Sequence, residues 1–208
     1  TLSSSIMSFY QQGEKLYSND EINIKLFGGS ITIRDLTLNN FLKSMREIGF
    51  SAEVNHLDLG QMSNTYREWG NITGIINGHI KDFKLVAREP SSFEIEIKTE
   101  HHPKIKQTVS AKFIKNFVPG VGKVLDKVGF TNYKYEIMGL HALLENDYIK
   151  LQGAVRKGGK ELFMKGAGLK KLDIVFPNID RRVPFKTFMN SFKGILDSDF
   201  DDTKLQFK

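Results

Sequence analysis

Phe93-Glu94-Ile95-Glu96-Ile97-Lys98 alternates apolar and charged residues without a break. That is the period-two pattern of a strand with one face in a core and the other in water. Upstream, Ile72, Ile76, Ile80, Phe83 and Leu85 lie within the stretch Asn71 to Ala87. Their alternation slips near Asp82, which predicts a β-bulge. Glu89-Pro90 predicts the turn between the two strands. A long strand pair is therefore the centre of the expected fold.

The same period extends outward on both sides. Ile22, Ile24 and Leu26 alternate with Asn23 and Lys25. Gly28-Gly29 signals a turn, after which Ile31, Ile33, Leu36 and Leu38 complete a hairpin. Ala52, Val54 and Leu57 give a further strand. Four more candidates follow: Tyr133 to Ile137, Tyr148 to Val155, Glu161 to Lys165 and Leu169 to Phe176. Gly158-Gly159 predicts the turn between the second and third of these.

Helical spacing appears between the strands. Leu2, Ile6, Phe9, Tyr10, Gly13, Leu16 and Tyr17 predict a helix over 2–17, with Ser3-Ser4-Ser5 as its cap. Phe41, Leu42, Met45 and Ile48 predict a short helix ended by Gly49, and Gln61 to Trp69 another, closed by Gly70. From Val109 the period is helical again. Phe113, Ile114, Phe117 and Val118 share a face, continued by Val121, Val124, Leu125 and Val128 beyond Pro119-Gly120. In the last helix Pro184 sits near the first turn, and Phe185, Phe188, Met189, Phe192, Ile195 and Leu196 line one face. The expectation is a mainly β (α+β) fold. It has a curved, mostly antiparallel sheet with an apolar inner face or groove, plus inserted and C-terminal amphipathic helices. Residues 1–208 form one domain, with a helical segment over 1–20 and an acidic, frayed tail over 197–208.

The 208 residues are 40% hydrophobic and 26% charged, with a mean hydropathy of -0.30, which is the composition of a folded chain. A chain of this length buries roughly 70% of its unfolded surface and needs no disulfides. The absence of cysteine excludes disulfides, thiol catalysis and Cys-ligated zinc. No apolar run approaches the ~20 residues of a membrane-spanning helix, and no signal peptide is recognisable. The chain begins at Thr1 rather than Met, so a fragment of a longer protein is expected. Thirty basic against 24 acidic residues give +6 and a pI near 9.3. That balance suits anionic lipid, nucleic acid or an acidic partner, although the Lys and Arg residues are scattered.

Candidate chemistry is sparse. His101-His102 are adjacent, which sends the rings to opposite sides of a strand, and His56, His79 and His141 are isolated. None of these has metal-ligand spacing. Asp197, Asp199, Asp201 and Asp202 lack the Gly and terminal Glu of a calcium loop. No Gly-x-Ser-x-Gly, phosphate loop or dinucleotide fingerprint occurs. Aromatic residues interleave with Lys at Phe83-Lys84, Lys112-Phe113 and Tyr133-Lys134-Tyr135, but they fall on apolar faces, which favours core packing over base stacking. No enzyme, metal, cofactor or nucleic-acid site is expected.

One stretch carries a family resemblance. A short polar segment from Leu57-Asp58-Leu59-Gly60 leads into Gly70-Asn71-Ile72-Thr73-Gly74-Ile75-Ile76-Asn77-Gly78-His79-Ile80-Lys81-Asp82-Phe83, with glycines at 70, 74 and 78. This resembles the C-terminal region of AsmA-like bacterial envelope proteins of the TamB and YdbH type, a bridge-like lipid transfer group. The Phe93 strand, Gln107 to Phe117, Tyr135 to Leu140, Gly153, Gly158-Gly159 and the final strand and helix from Arg182 fit the same pattern, over residues 22–196. The resemblance implies an elongated β structure with a hydrophobic groove, acting in the periplasm of a Gram-negative bacterium. It implies phospholipid transport between inner and outer membranes, outer-membrane biogenesis and a parent protein anchored in the inner membrane. It implies no catalytic residues.

Groove candidates are Ile72, Ile76, Ile80, Phe83, Leu85, Phe93, Ile95, Ile97, Ile137, Ile149, Leu151, Val155, Leu172, Ile174 and Phe176. The expected partners are phospholipid acyl chains and a membrane surface, because burying acyl methylenes gains about 0.8 kcal/mol each. Periodicity cannot separate a groove from a closed core at these positions, and without the resemblance an ordinary closed core is the favoured reading. The alternative function is an envelope interaction module that pairs with an outer-membrane protein by strand addition.

Overall fold

The computed structural model describes residues 7–117, 125, 129–168, 171–175 and 182–196. Strands account for 58% of the chain and helices for 14%, so the fold is mainly β. Thirteen strands form one sheet, in which every pairing is antiparallel. Its spine is built from β4 (Gly29–Asn39), β5 (Glu47–Asp58), β7 (Ile75–Val86), β8 (Glu89–Glu100), β10 (Asn132–Glu145) and β11 (Tyr148–Gly153), side by side in that order. β1 (Tyr10–Gln12), β2 (Lys15–Ser18) and β3 (Ile22–Leu26) flank β4, and β15 (Val183–Pro184) flanks β11. The ends are completed by β6 (Ile72–Thr73), β9 (Thr108–Ser110) and β14 (Met164–Gly166), and by a separate hairpin of β12 (Val155–Lys157) and β13 (Lys160–Leu162). The helices are α1 (Leu59–Thr65), a 3-10 turn at Arg67–Trp69, α2 (Ala111–Phe117) and α3 (Phe185–Leu196).

Three of the bulges in the sheet keep the apolar side chains in phase. Register shifts at Arg34/Thr37, Val54/Leu57 and Lys81/Lys84 each contain a residue of positive φ: Asp35 at 55°, His56 at 55° and Asp82 at 48°. Each extra residue returns the following apolar positions to the face they would otherwise leave. The slip expected near Asp82 is one of the three. The Ser92 hydroxyl donates to the Asp82 carbonyl at 3.2 Å, which satisfies an oxygen the bulge takes out of the ladder.

Two cores cap the sheet. The larger joins Leu59, Ile72, Val109, Phe113, Ile114, Leu125, Tyr133, Tyr135, Met138, Phe163, Met164 and Ile174 beneath α1 and α2. The smaller joins Phe93, Ala142, Leu144 and Ile149, with Phe185 and Phe188 of α3 packed on it. Asp58 caps α1 by accepting from the Gly60 and Gln61 amides. Tyr135 donates to the Thr73 carbonyl at 2.7 Å, and its burial pushes the phenol far up, so it stays a donor.

Segment 171–175 closes the larger core through a bridge between Ile174 and Met164. Asp173 holds it there. Its Oδ2 accepts from Lys157 Nζ at 2.8 Å and its Oδ1 from the Gly166 amide at 2.9 Å, and these bonds hold the carboxyl below its usual range. A lowered folded-state value means the contribution is present above the unfolded value, near pH 4, and is lost as pH falls through the lower folded value. The wild-type protein should therefore lose stability more steeply than Asp173→Asn on acidification below about pH 4. Urea melts of both proteins across that range check this, and parallel pH profiles would refute it.

Several expectations are corrected. Residues 10–18 form the β1–β2 hairpin, not a helix: Gly13 turns at φ 60°, Tyr10 and Tyr17 stack at 5.6 Å, and Leu16 pairs with Leu38 of β4. Pairing with an existing strand overrides the helical spacing. Residues 41–46 form a turn, and Ile48 is already in the β5 ladder opposite Leu38 and Leu85. The β7–β8 turn lies at Ala87-Arg88, both of positive φ, with Pro90 inside β8 opposite Leu85. Phe27 and Gly28, rather than Gly28 and Gly29, turn the β3–β4 hairpin. Val109 belongs to a strand. Leu172 and Ile174 lie in an extended segment with a single bridge rather than a strand. The predicted cap at 3–5, the positions Val118, Val121, Val124, Val128, Leu169 and Phe176, and the tail from 197 lie outside the described residues.

Candidate functional site: an apolar trough

Reading the ladder across the sheet shows two chemically opposite faces. One row runs Ile22, Ile33, Ala52, Ile80, Ile95, Ala142, Leu151 from β3 to β11. The next runs Ile24, Ile31, Val54, Gly78, Ile97, Leu140, Gly153. Directly opposite residues share a face, so these rows are continuous apolar stripes crossing seven strands. The intervening row is polar: Asn23, Thr32, Glu53, His79, Glu96, His141, Gln152. On that side His141 Nε2 lies 3.0 Å from Glu94 Oε1, a hydrogen bond that holds the Glu94 carboxyl below its usual range.

The apolar face is unevenly covered. Over β8, β10 and β11 it meets α3, where Phe185 packs edge-on to Phe93 with ring centroids 6.2 Å apart. Over β3, β4, β5 and β7 Ala52 and Val54 are buried, while Ile22, Ile24, Ile31, Ile33 and Ile80 pack into neither cluster. Ile22, Ile24, Ile31, Ile33 and Ile80 remain half-buried. Phe50 and Phe83 stack at 4.6 Å along this half, and Phe83 stacks in turn on Phe93 at 6.1 Å.

Between the two cores the face opens into a cavity of about 470 Å³. Its floor is Ile76, Ile97, Leu140 and Leu151, and its roof includes Met62, Trp69, Phe188 and Met189. The polar groups among its lining side chains belong to Lys98, Thr99 and the Trp69 indole. Lys98 is exposed on the sheet. Thr99 Oγ1 donates to the Met138 carbonyl at 3.2 Å and accepts from the Met138 amide at 2.8 Å. The hydroxyl is thus committed to the backbone, and the lining offered to a ligand is predominantly hydrocarbon. The volume lies in the range of small-molecule sites. Among the described residues no group of three His, Asp or Glu is placed to hold a metal ion.

The candidates from the sequence divide three ways. Ile76, Ile97 and Leu151 line the cavity, as does Ile72 from within the larger core. Ile80, Phe83, Leu85 and Ile95 lie half-buried along the apolar face. Phe93 and Ile149 are buried in the smaller core, Ile174 in the larger with Leu172 packed on it, and Val155 beside Leu162. These are closed packing. Ile137 is a correction: the register shift between Tyr135 and Ile137 puts Met138 and Leu140 on the apolar face. Ile137 instead lines a separate cavity with Asn77, Lys98, Glu100, His101 and Glu136. Phe176 lies outside the described residues.

The residues missed are Ile22, Ile24, Ile31 and Ile33, together with Leu140, Met62 and Trp69. The first four alternate as cleanly as Phe93–Ile97, so the signal was present once their hairpin is placed in register with β5. The α1 residue Met62 and Trp69 had no such signal, because which helix roofs a sheet is not written in period. In comparisons with protein-family models, with curated proteins and with solved structures, the chain matches none.

Proposed function

We propose that this domain binds the acyl chains of phospholipids along the apolar face of its sheet and takes part in passing them between the inner and outer membranes of a Gram-negative envelope. The observation that supports this most is the unbroken pair of apolar rows from β3 to β11, half-covered and joined to a hydrocarbon-lined cavity of about 470 Å³. Half-buried isoleucines running beside a hydrocarbon-lined cavity support a binding face. Acyl burial at about 0.8 kcal/mol per methylene supplies affinity without a headgroup site. The role is passive shielding, not catalysis, and it agrees with the AsmA-like resemblance, the periplasmic setting and the membrane-anchored parent expected from it.

Mass spectrometry of organic extracts of the purified domain, with labelled lipid added back, tests this. Stoichiometric phospholipid is expected. A clean extract together with failure to load labelled lipid would sink the reading. A second reading has its own observation: among the described residues β3 pairs only with β4, which leaves its outer edge to accept an added strand. A domain that refuses lipid but captures an outer-membrane partner through that edge would favour it.

A further inference from the structure

Trp69 and Phe113 line the hydrocarbon cavity, and their chain neighbours Gly70 and Lys112 line another cavity of about 400 Å³. The two cavities therefore share a wall, made by the 3-10 turn Arg67–Trp69 and the start of α2. The chemistry reverses across it. Arg67, Lys112, Asn71, Thr131 and Asn132 line the outer cavity, and no acid is among its lining residues. Among the described residues neither the Arg67 nor the Lys112 side chain enters an ion pair or hydrogen bond. The segments that build the cavity, 67–71, 110–117 and 129–134, hold Arg67, Lys112, Lys115 and Lys134 against the single acid Glu68. The wall is fixed by its own backbone. The Ser110 amide donates to the Asn71 carbonyl and the Ala111 amide to the Thr131 carbonyl, both at 2.8 Å. Asn116 Nδ2 donates to the Glu68 and Trp69 carbonyls at 3.3 Å. The Phe113 amide is taken by Ser110 Oγ at 3.1 Å, so the positive charge of the cavity comes from side chains and not from the helix end. Gly70, at φ 92°, lets turn and helix meet: a Cβ there would come within 2.7 Å of the Phe113 nitrogen and of Ser110 Oγ.

We propose that this outer cavity binds the phosphate group of a phosphate ester between Arg67 and Lys112, with Asn71, Thr131 and Asn132 as neutral partners. The guanidinium fork matches two phosphate oxygens, and the ammonium adds a point charge. A concave site lined by one sign of charge concentrates an anion, and a few convergent polar groups fix its orientation. A phospholipid headgroup and a soluble phosphate ester both carry that chemistry. With a lipid, the phosphate sits outside the wall whose inner side lines the hydrocarbon cavity, and it orients the molecule that the trough holds. Acyl burial needs no such site, so the phosphate pocket stands independently of the trough reading, and only the lipid source rests on it.

Calorimetric titration of the chain with glycerol 3-phosphate, against glycerol, tests the site. The wild type should bind the phosphate ester and ignore glycerol. Arg67→Gln with Lys112→Gln should weaken binding at least about tenfold. Both side chains are exposed, so the circular dichroism spectrum should not change. Lys25→Gln with Arg88→Gln removes the same net charge from exposed positions elsewhere and should bind as wild type does. Absence of binding, binding retained without Arg67 and Lys112, or an equal loss in the Lys25 and Arg88 control would overturn the proposal. Soluble short-chain phosphatidylglycerol, titrated in parallel, distinguishes the sources. Binding tighter than that of glycerol 3-phosphate, and weakened by the same substitutions, assigns the phosphate to a lipid headgroup. Equal affinity for the two assigns the pocket to soluble phosphate esters. Ile80→Asp should lose the gain from the acyl chains and keep glycerol 3-phosphate binding. Lipid uptake without glycerol 3-phosphate binding overturns the pocket alone, and the reverse supports the pocket while overturning the trough.

Discussion

Ile80→Asp is expected to abolish uptake of labelled phospholipid and to leave the fold standing. Ile80 lies in the row Ile33, Ala52, Ile80, Ile95, is half-buried, and belongs to neither core. On the open half of the trough a carboxylate can stay hydrated. The change should therefore cost only about 1–2 kcal/mol in strand preference and lost contact. A bound acyl chain would strip that hydration, and an ionised carboxylate against hydrocarbon is too costly to tolerate. Loading should fall to background while circular dichroism is retained. Leu144→Asp is the contrast. Leu144 is 1% exposed in the smaller core, and a charge there should unfold the domain. If Ile80→Asp also unfolds, the face is closed core. If it loads lipid normally, the trough is not the site.

Gly153→Ala should destabilise the domain by about 3 kcal/mol, near the upper end of overpacking costs. Gly153 ends β11 opposite Leu140, where the chain crosses the strand pair that follows. A Cβ there would overlap the carbonyl carbon and oxygen of Leu162, which are backbone atoms with no rotamer to yield. Relief would push β13 away and disturb Phe163 on the cavity and Met164 in the larger core. Gly159→Ala separates this from ordinary turn strain. Gly159 has φ 75° and open space around its Cβ position, so alanine there should cost about 1–2 kcal/mol. Urea denaturation of both variants checks the difference, and equal losses would contradict the close-crossing account.

Strand identity was legible wherever alternation was long. Ile22–Leu26, Ile31–Ile33, Ile75–Val86 and Phe93–Ile97 are strands because a period of two sends every second side chain to one face, whereas the stretch expected from Asn71 breaks at Gly74, and Ile72–Thr73 pairs separately with β9. The Asp82 slip was visible for the same reason. The Asp35 and His56 bulges leave no such mark, since a one-residue insertion in a shorter run looks like the end of a strand. The 2–17 and 41–48 helices failed on short windows. Phe9, Gly13 and Leu16 fit a helical face, yet a free strand edge on β4 offered Leu16 and Tyr17 backbone partners that a helix could not match.

The sequence by itself determined that this chain is a mainly antiparallel β domain with one apolar and one charged face, because alternation and turn residues act locally. It also determined which side chains are able to meet hydrocarbon. Only the tertiary structure decided which of them remain accessible. Closed or open depends on where α3 and α1 come to rest over the sheet, a long-range packing outcome that no periodicity encodes. The same holds for Leu42 and Met45, both exposed in the turn between β4 and β5. They carry a helical pattern, and only the pairing of Ile48 into the sheet turned them outward.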